Sequence, residues 1–225
     1  YQQRLHLNSR SRSESPKTRL GAFFCAIVSA YSFAATEAQG WFSMSNVITF
    51  IGLPGSGKST IGRQLARSWG IEFVDSDHVL EHRLGCSIKD FFATQGEAAF
   101  RDEETAVIAE LAQTSSPCVL STGGGAILRD ANRAVLLQHT TVFYLQSSPE
   151  DIARRLRNDT ARPLLQGEDP LKRLRDLAMV RGPLYTETAH FVIDTVRCST
   201  AQVVRKVSMQ AELANVVPQR LAAAP

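Results

Sequence analysis

Cysteine is scarce in this chain, and the few it has stand far apart. Cys25, Cys86, Cys118 and Cys198 form no Cys-x-x-Cys pair, which excludes a zinc knuckle and a small disulfide scaffold. Free thiols in a reducing compartment are the expectation. The longest apolar run, Gly21 to Ala35, is too short for a comfortable transmembrane span. A surplus of one charge is also missing from most of the chain. Residues 1–43 hold Arg4, Arg10, Arg12, Lys17 and Arg19 against Glu14 and Glu37. Removing those from the chain's 25 basic and 22 acidic residues leaves a body with equal numbers of each sign. A nucleic-acid binder would carry a basic surplus on its folded part. No internal repeat is visible.

What is there begins with length: 225 residues, 44% of them apolar, suffice for one domain with a sizeable core. The first 43 residues are expected to be a leader or upstream extension without fixed structure. Their Arg/Ser-rich start and short apolar run are shared by secretory signals and organellar transit peptides. Met44 is the natural start of the domain proper, which is expected to run over 44–215, with a frayed tail over 216–225.

The organising stretch is Gly52-Leu53-Pro54-Gly55-Ser56-Gly57-Lys58-Ser59-Thr60. An apolar run, Val47 to Ile51, precedes it and a helical pattern, Ile61 to Trp69, follows. Strand, glycine loop, helix is the context of a phosphate-binding P-loop. The backbone N–H groups of Gly55, Ser56, Gly57 and Thr60 can point into one anion hole, backed by the helix N-terminus. Lys58 can reach the terminal phosphates, and the Ser59 hydroxyl can ligate Mg²⁺.

Beyond the loop, strand and helix patterns alternate as in a doubly wound sheet. Ile71 to Val74 is a short strand that delivers Asp75-Ser76-Asp77 at its C-terminal end, where open α/β sheets bind ligands. Asp75 can hold a metal ion and Asp77 can face an acceptor hydroxyl as base; an Asx turn capping the next helix is the plainer alternative. His78-Val79-Leu80-Glu81-His82 spells an inverted zincin pattern, but after a P-loop strand the expectation is an exposed helix face.

Thr94 to Glu97 has the form of a capping box ahead of a helix expected over Glu97 to about Ala112. On it, Arg101 either makes an intrahelical ion pair or forks onto a substrate carboxylate. Cys118 to Ser121 is a third strand, followed by Thr122-Gly123-Gly124-Gly125, whose glycines permit close backbone approach to a ligand or simply make a flexible turn. Thr141 to Gln146 is a fourth strand. Ser148-Pro149-Glu150-Asp151 starts a helix with a cap, an N1 proline and an acidic first turn. The stretch over about 157–168 suits a mobile lid and holds Arg162. A helix expected over Asp169 to about Val180 leads to Arg181-Gly182-Pro183-Leu184-Tyr185. Phe191 to Ile193 is a fifth strand, and Ser199 caps a last helix.

Together these motifs resemble shikimate kinase, from about Asn46 to Ala211. The P-loop with Ile61-Gly62-Arg63-Gln64-Leu65-Ala66, Asp75-Ser76-Asp77, Phe100-Arg101 with Glu103 and Glu104, the triple glycine, Arg162-Pro163-Leu164-Leu165 and the Arg181 to Tyr185 segment come in the family's order. The resemblance implies a P-loop kinase fold of the nucleoside-monophosphate-kinase type: a five-stranded parallel sheet with helices on both faces, a small helical substrate region over about 76–106, and a mobile lid.

It also implies ATP and Mg²⁺, and transfer of phosphate to shikimate to give shikimate 3-phosphate in chorismate and aromatic amino-acid biosynthesis. Asp77, Arg101, Gly123, Gly124, Gly125 and Arg181 would bind shikimate, with Asp77 catalytic alongside Lys58 and Arg162. Gly55 to Thr60, Arg155, Arg162 and Arg197 would hold the nucleotide, and Ser59 and Asp75 the metal. A cytoplasmic monomer without nucleic-acid or membrane partners is expected, or a plastid enzyme if the leader is a transit peptide. A kinase for another hydroxy acid such as gluconate, or a non-catalytic ligand-binding relative, are the alternatives.

Overall fold

The computed structural model describes residues 45–156 and 169–218; the leader, the lid segment and residues 219–225 lie outside them. The described residues form β1 (Val47–Ile51), α1 (Lys58–Trp69), β2 (Glu72–Asp75), α2 (Ser76–Leu84), α3 (Ile88–Ala112) and β3 (Cys118–Ser121). After a 3₁₀ turn at Ala126–Leu128 come α4 (Asp130–His139), β4 (Thr141–Gln146), α5 (Pro149–Leu156), α6 (Pro170–Thr188), β5 (Phe191–Asp194) and α7 (Thr200–Leu213). The five strands make one sheet in the order β2-β3-β1-β4-β5, and every pairing is parallel.

Alternation along the strands sends successive side chains to opposite faces, and both faces are covered. Val47, Ile51, Leu120, Val142 and Tyr144 pack under α3, α4, α5 and α6, through Ile108, Leu136, Ile152, Leu174 and Tyr185. Ile48, Phe50, Val119, Phe143 and Leu145 pack under α1 and α7, through Ile61, Leu65, Val203 and Val207. All five β1 residues are buried, as a central parallel strand requires. A smaller cluster, Leu80, Phe100 and Val107, ties α2 to α3 beside the sheet. Parallel strands all end on one edge, so the loops after β1, β2 and β3 open together.

Local signals hold where the chain supplies its own cap. α1 stops at Gly70, at φ 65°, whose N–H meets the Ala66 and Arg67 carbonyls. Ser148 caps α5 by accepting the Asp151 N–H at 3.1 Å, and Ser199 with Gln202 forms a full capping box on α7.

Two helices depart from expectation. α3 begins nine residues earlier than Glu97, because Ser87 takes the cap. Thr94 makes no capping box; its hydroxyl donates back to the Asp90 and Phe91 carbonyls. Gly96 instead breaks the helix with φ 81° and ψ 174°. α6 does not stop near Val180 but runs through Pro183 to Thr188. Pro183 cannot supply the N–H that Met179's carbonyl would take, a loss that falls on a solvent-facing turn where Met179 is 76% exposed. Near the C-terminus, Val216 is buried against the α1–α7 face.

Candidate active site

Where β1 ends, the chain wraps into the anion-binding loop before α1. Gly55 and Gly57 sit at φ 81° and 95°, a region L side chains avoid. The Lys58 ammonium is buried and donates to the Gly52 and Leu53 carbonyls at 2.9 and 3.0 Å, bracing the loop from within. The fully buried Ser56 hydroxyl has no protein partner among the described residues. A cavity of about 270 Å³ is lined by Gly55, Ser56, Gly57 and Thr60 together with Arg155 and Cys198. Arg155 therefore shares one cavity with the glycine loop. Arg197 stands between two residues that line this cavity, Thr195 and Cys198, and its backbone N–H donates to Asp151 Oδ2.

β2 brings Asp75 to the same edge, with a task for each carboxylate oxygen. Oδ2 accepts the Ser59 hydroxyl at 2.7 Å; Oδ1 accepts the Asp77 N–H at 3.2 Å and caps α2. The Asx turn and the metal-facing role are thus compatible in one side chain. Ser121, at the end of β3, puts its Oγ 3.3 Å from Ser59 Oγ. Ser59, Asp75 and Ser121 are all oxygen donors, the type a hard cation such as Mg²⁺ takes.

Asp77, on the first turn of α2, faces the triple glycine. A β-carbon on Gly123 would stand 2.6 Å from Asp77 Oδ1 and 3.3 Å from Glu104 Oε1, so the turn can pass between the carboxylates only as glycine. Burial, with Asp75 close by, pushes the Asp77 carboxyl up to about 6, against the pull of Lys58. Gly123 donates its N–H to the Ser76 hydroxyl at 3.2 Å.

Arg101 closes the next side. Its guanidinium bonds Glu104 at 2.6 Å and Glu97 at 3.2 Å, and a β-carbon on Gly125 would run into it at 2.6 Å. The ion-pair alternative for Arg101 is therefore real, and it aims the guanidinium at the glycine turn. Arg181, from α6, donates to the Gly124 carbonyl at 2.9 Å. Glu104 is itself buried, which raises its carboxyl pKa, while Arg101 and then Arg181 oppose the rise. Asp77, Arg101, Gly123–Gly125 and Arg181 thus converge, as the sequence placed them.

Glu104, Ser121 and Tyr185 belong to the site without having been assigned a role in it. Glu104 was visible as an i+3 partner of Arg101, but spacing alone does not say that a carboxylate is buried. Tyr185 was visible only as the end of the Arg181 segment. Arg162 falls outside the described residues. His78 and His82 are exposed on α2, and among the described residues no group of three or more His, Cys, Asp or Glu is placed to hold a metal.

A family model for shikimate kinase matches residues 54–212. A shikimate kinase of Paracidovorax citrulli is 54% identical over 173 residues, covering 76% of this chain and 94% of that protein. Another, of Ralstonia nicotianae, is 48% identical over 183 residues, covering 81% and 95%. Among solved structures, shikimate kinase from Acinetobacter baumannii in complex with shikimate superposes with a TM-score of 0.70. It is 41% identical and covers 79% of this chain and 97% of its own.

Proposed function

This chain belongs to the shikimate kinase family, and from that premise we propose how its site carries the γ-phosphoryl group of ATP to a hydroxyl of shikimate. ATP-dependent phosphorylation of shikimate, within aromatic amino-acid biosynthesis, is the activity its relatives support. The observation that carries the mechanism is the Asp77 carboxylate, set between the P-loop lysine and the Gly123 backbone.

The loop N–H groups, the Ser56 hydroxyl and Lys58 hold the phosphate tail, and the cavity toward Arg155 and the Arg197 loop takes the nucleoside. Ser59 and Asp75 would hold Mg²⁺, which when bound would neutralise phosphate charge. Arg101 and Arg181 grip the acid's carboxylate, and the Gly123–Gly125 backbone lies against its ring. Asp77 accepts the proton of the attacking hydroxyl. That oxygen bonds to the γ-phosphorus, the bond from phosphorus to the bridging oxygen of ADP breaks, and ADP leaves. Arg162, outside the described residues, keeps the role its motif implies: covering the transferring phosphoryl group. Gluconate offers a carboxylate and hydroxyls too, but the family match favours the cyclic acid.

Among the described residues no helix is long and apolar enough to cross a membrane. The need for ATP supports a cytoplasmic location, and we take the chain as a monomer, which light scattering would test. The activity is tested by ADP release with shikimate and with gluconate. We expect turnover on shikimate and a loss of about 1.5–3 kcal/mol for Arg101→Ala, felt mainly in the KM for shikimate. Unchanged kinetics would remove Arg101 from the site.

A further inference from the structure

The Gly124 carbonyl, in the middle of the glycine turn, receives two side-chain donors from α6. Arg181 donates at 2.9 Å and the Tyr185 hydroxyl at 2.6 Å. The two residues are one helical turn apart, so both reach the same point. Tyr185 is fully buried, and its ring stacks on Tyr144 from β4, 5.1 Å between centroids at 23°. On the opposite side, Gly124 abuts the P-loop: a β-carbon there would stand 2.8 Å from Pro54 Cδ. The turn is therefore clamped between Pro54 and Tyr185, and only one of its two α6 donors is on a flexible side chain.

That difference matters because Arg181 has two claims on it. If it is to meet a substrate carboxylate, it must leave or share the Gly124 carbonyl, and a half-buried carbonyl left without any protein donor carries a desolvation cost. A phenol locked by stacking does not move away. We infer that Tyr185 is a positioning residue for shikimate binding: its hydroxyl keeps the Gly124 carbonyl satisfied and thereby releases Arg181 for the carboxylate. This rests on the assignment of Arg181 to the substrate. Burial raises the Tyr185 pKa above the ordinary tyrosine value, so the phenol stays a donor at any working pH.

The test titrates shikimate, and separately ADP with Mg²⁺, onto the full chain by calorimetry, with thermal melts alongside. Wild type, Tyr185→Phe, Arg181→Ala and the double variant are compared. Tyr185→Phe keeps the stacked ring and removes one oxygen. It should weaken shikimate roughly 3- to 10-fold, the span of one ordinary hydrogen bond, with ADP affinity unchanged and a single cooperative melt retained. In the Arg181→Ala background the same change should weaken shikimate no further, because no guanidinium remains to be held back.

Equal losses in both backgrounds, or an equal loss for ADP, would make Tyr185 a general prop and overturn the inference. Arg181→Ala that weakens shikimate while Tyr185→Phe does not would overturn it and leave the Arg181 assignment standing. Arg181→Ala without effect would remove that assignment, and the inference with it.

Discussion

Asp77 carries a cost that the proposed role as general base would explain. A carboxylate taken out of water, with Asp75 and then Glu104 and Glu81 nearby, resists ionisation, and its pKa of about 6 stands above the usual 3.8. A raised carboxyl favours the fold while protonated. That contribution is complete below about pH 3.8 and is lost as the pH rises through about 6. At pH 8, Asp77 is therefore ionised at the expense of the fold, in the form a general base needs. Asp77→Asn should raise stability at pH 8 by on the order of 1–3 kcal/mol in urea melts, with no gain at pH 4. It should also remove turnover of shikimate. For the wild type, kcat/KM should fall as pH drops through about 6. A variant no more stable at pH 8 would mean that the buried charge is not strained.

At the scale of single elements, α3 decides how Arg101 is presented. Its first half seats Phe91 and Phe92 on the α2–α3 cluster, with the Phe92 ring 4.4 Å from that of Phe100. Its second half carries Arg101 and Glu104. Gly96 joins them at φ 81° and ψ 174°, a conformation essentially reserved for glycine. A β-carbon there would touch nothing within 4 Å, so Gly96→Ala tests the backbone alone. It should cost about 1–3 kcal/mol in thermal or urea melts and raise the KM for shikimate, with ADP affinity unchanged. A variant as stable as wild type would show that the kink is not held by its flanking contacts.

The same helix shows how far a sequence can be read. The P-loop, Gly70, Ser148 and Ser199 act on neighbours a few residues away, and their structures follow from local chemistry. Thr94 to Glu97 has the local form of a cap, yet Ser87 caps α3, and the added first half seats Phe91 and Phe92 on α2, a contact that local pattern does not reveal. Pro183 looked like a helix end and is not one, since an exposed turn tolerates the missing N–H. The ion pairing of Arg101 with Glu97 and Glu104 follows from their spacing on one helix, whereas the burial of Glu104 and the reach of Tyr185 to Gly124 depend on elements far apart in the chain.

Across the whole molecule, parallel strands separate chemistry from support. Among the described residues, Ser59, Asp75, Asp77 and Gly123–Gly125 stand just beyond the C-terminal ends of β1, β2 and β3, and Arg101 and Arg181 reach the glycine turn from α3 and α6. At the opposite edge, β4 and β5 are tied by His190: its N–H donates to the Val142 carbonyl at 2.9 Å, and its Nδ1 accepts the Val142 N–H at 2.9 Å. Accepting at Nδ1 requires the neutral ring with its proton on Nε2, and burial lowers the pKa below the usual 6.5. A lowered histidine supports the fold fully above about pH 6.5, and that support is lost as pH falls through the folded value.

His190 and Asp77 thus pull stability in opposite directions over neighbouring pH ranges, one far from the chemistry and one within it. His190→Asn offers an amide oxygen near the Nδ1 position and does not titrate. Relative to wild type, it should flatten the acid side of a urea-midpoint profile between pH 7 and 5, by on the order of 1 kcal/mol. The fall of kcat/KM through about pH 6 should stay where it is, because that limb belongs to Asp77. A variant that shifts the kinetic limb, or leaves the stability profile as steep as before, would show that the two edges of the sheet are not independent in this way.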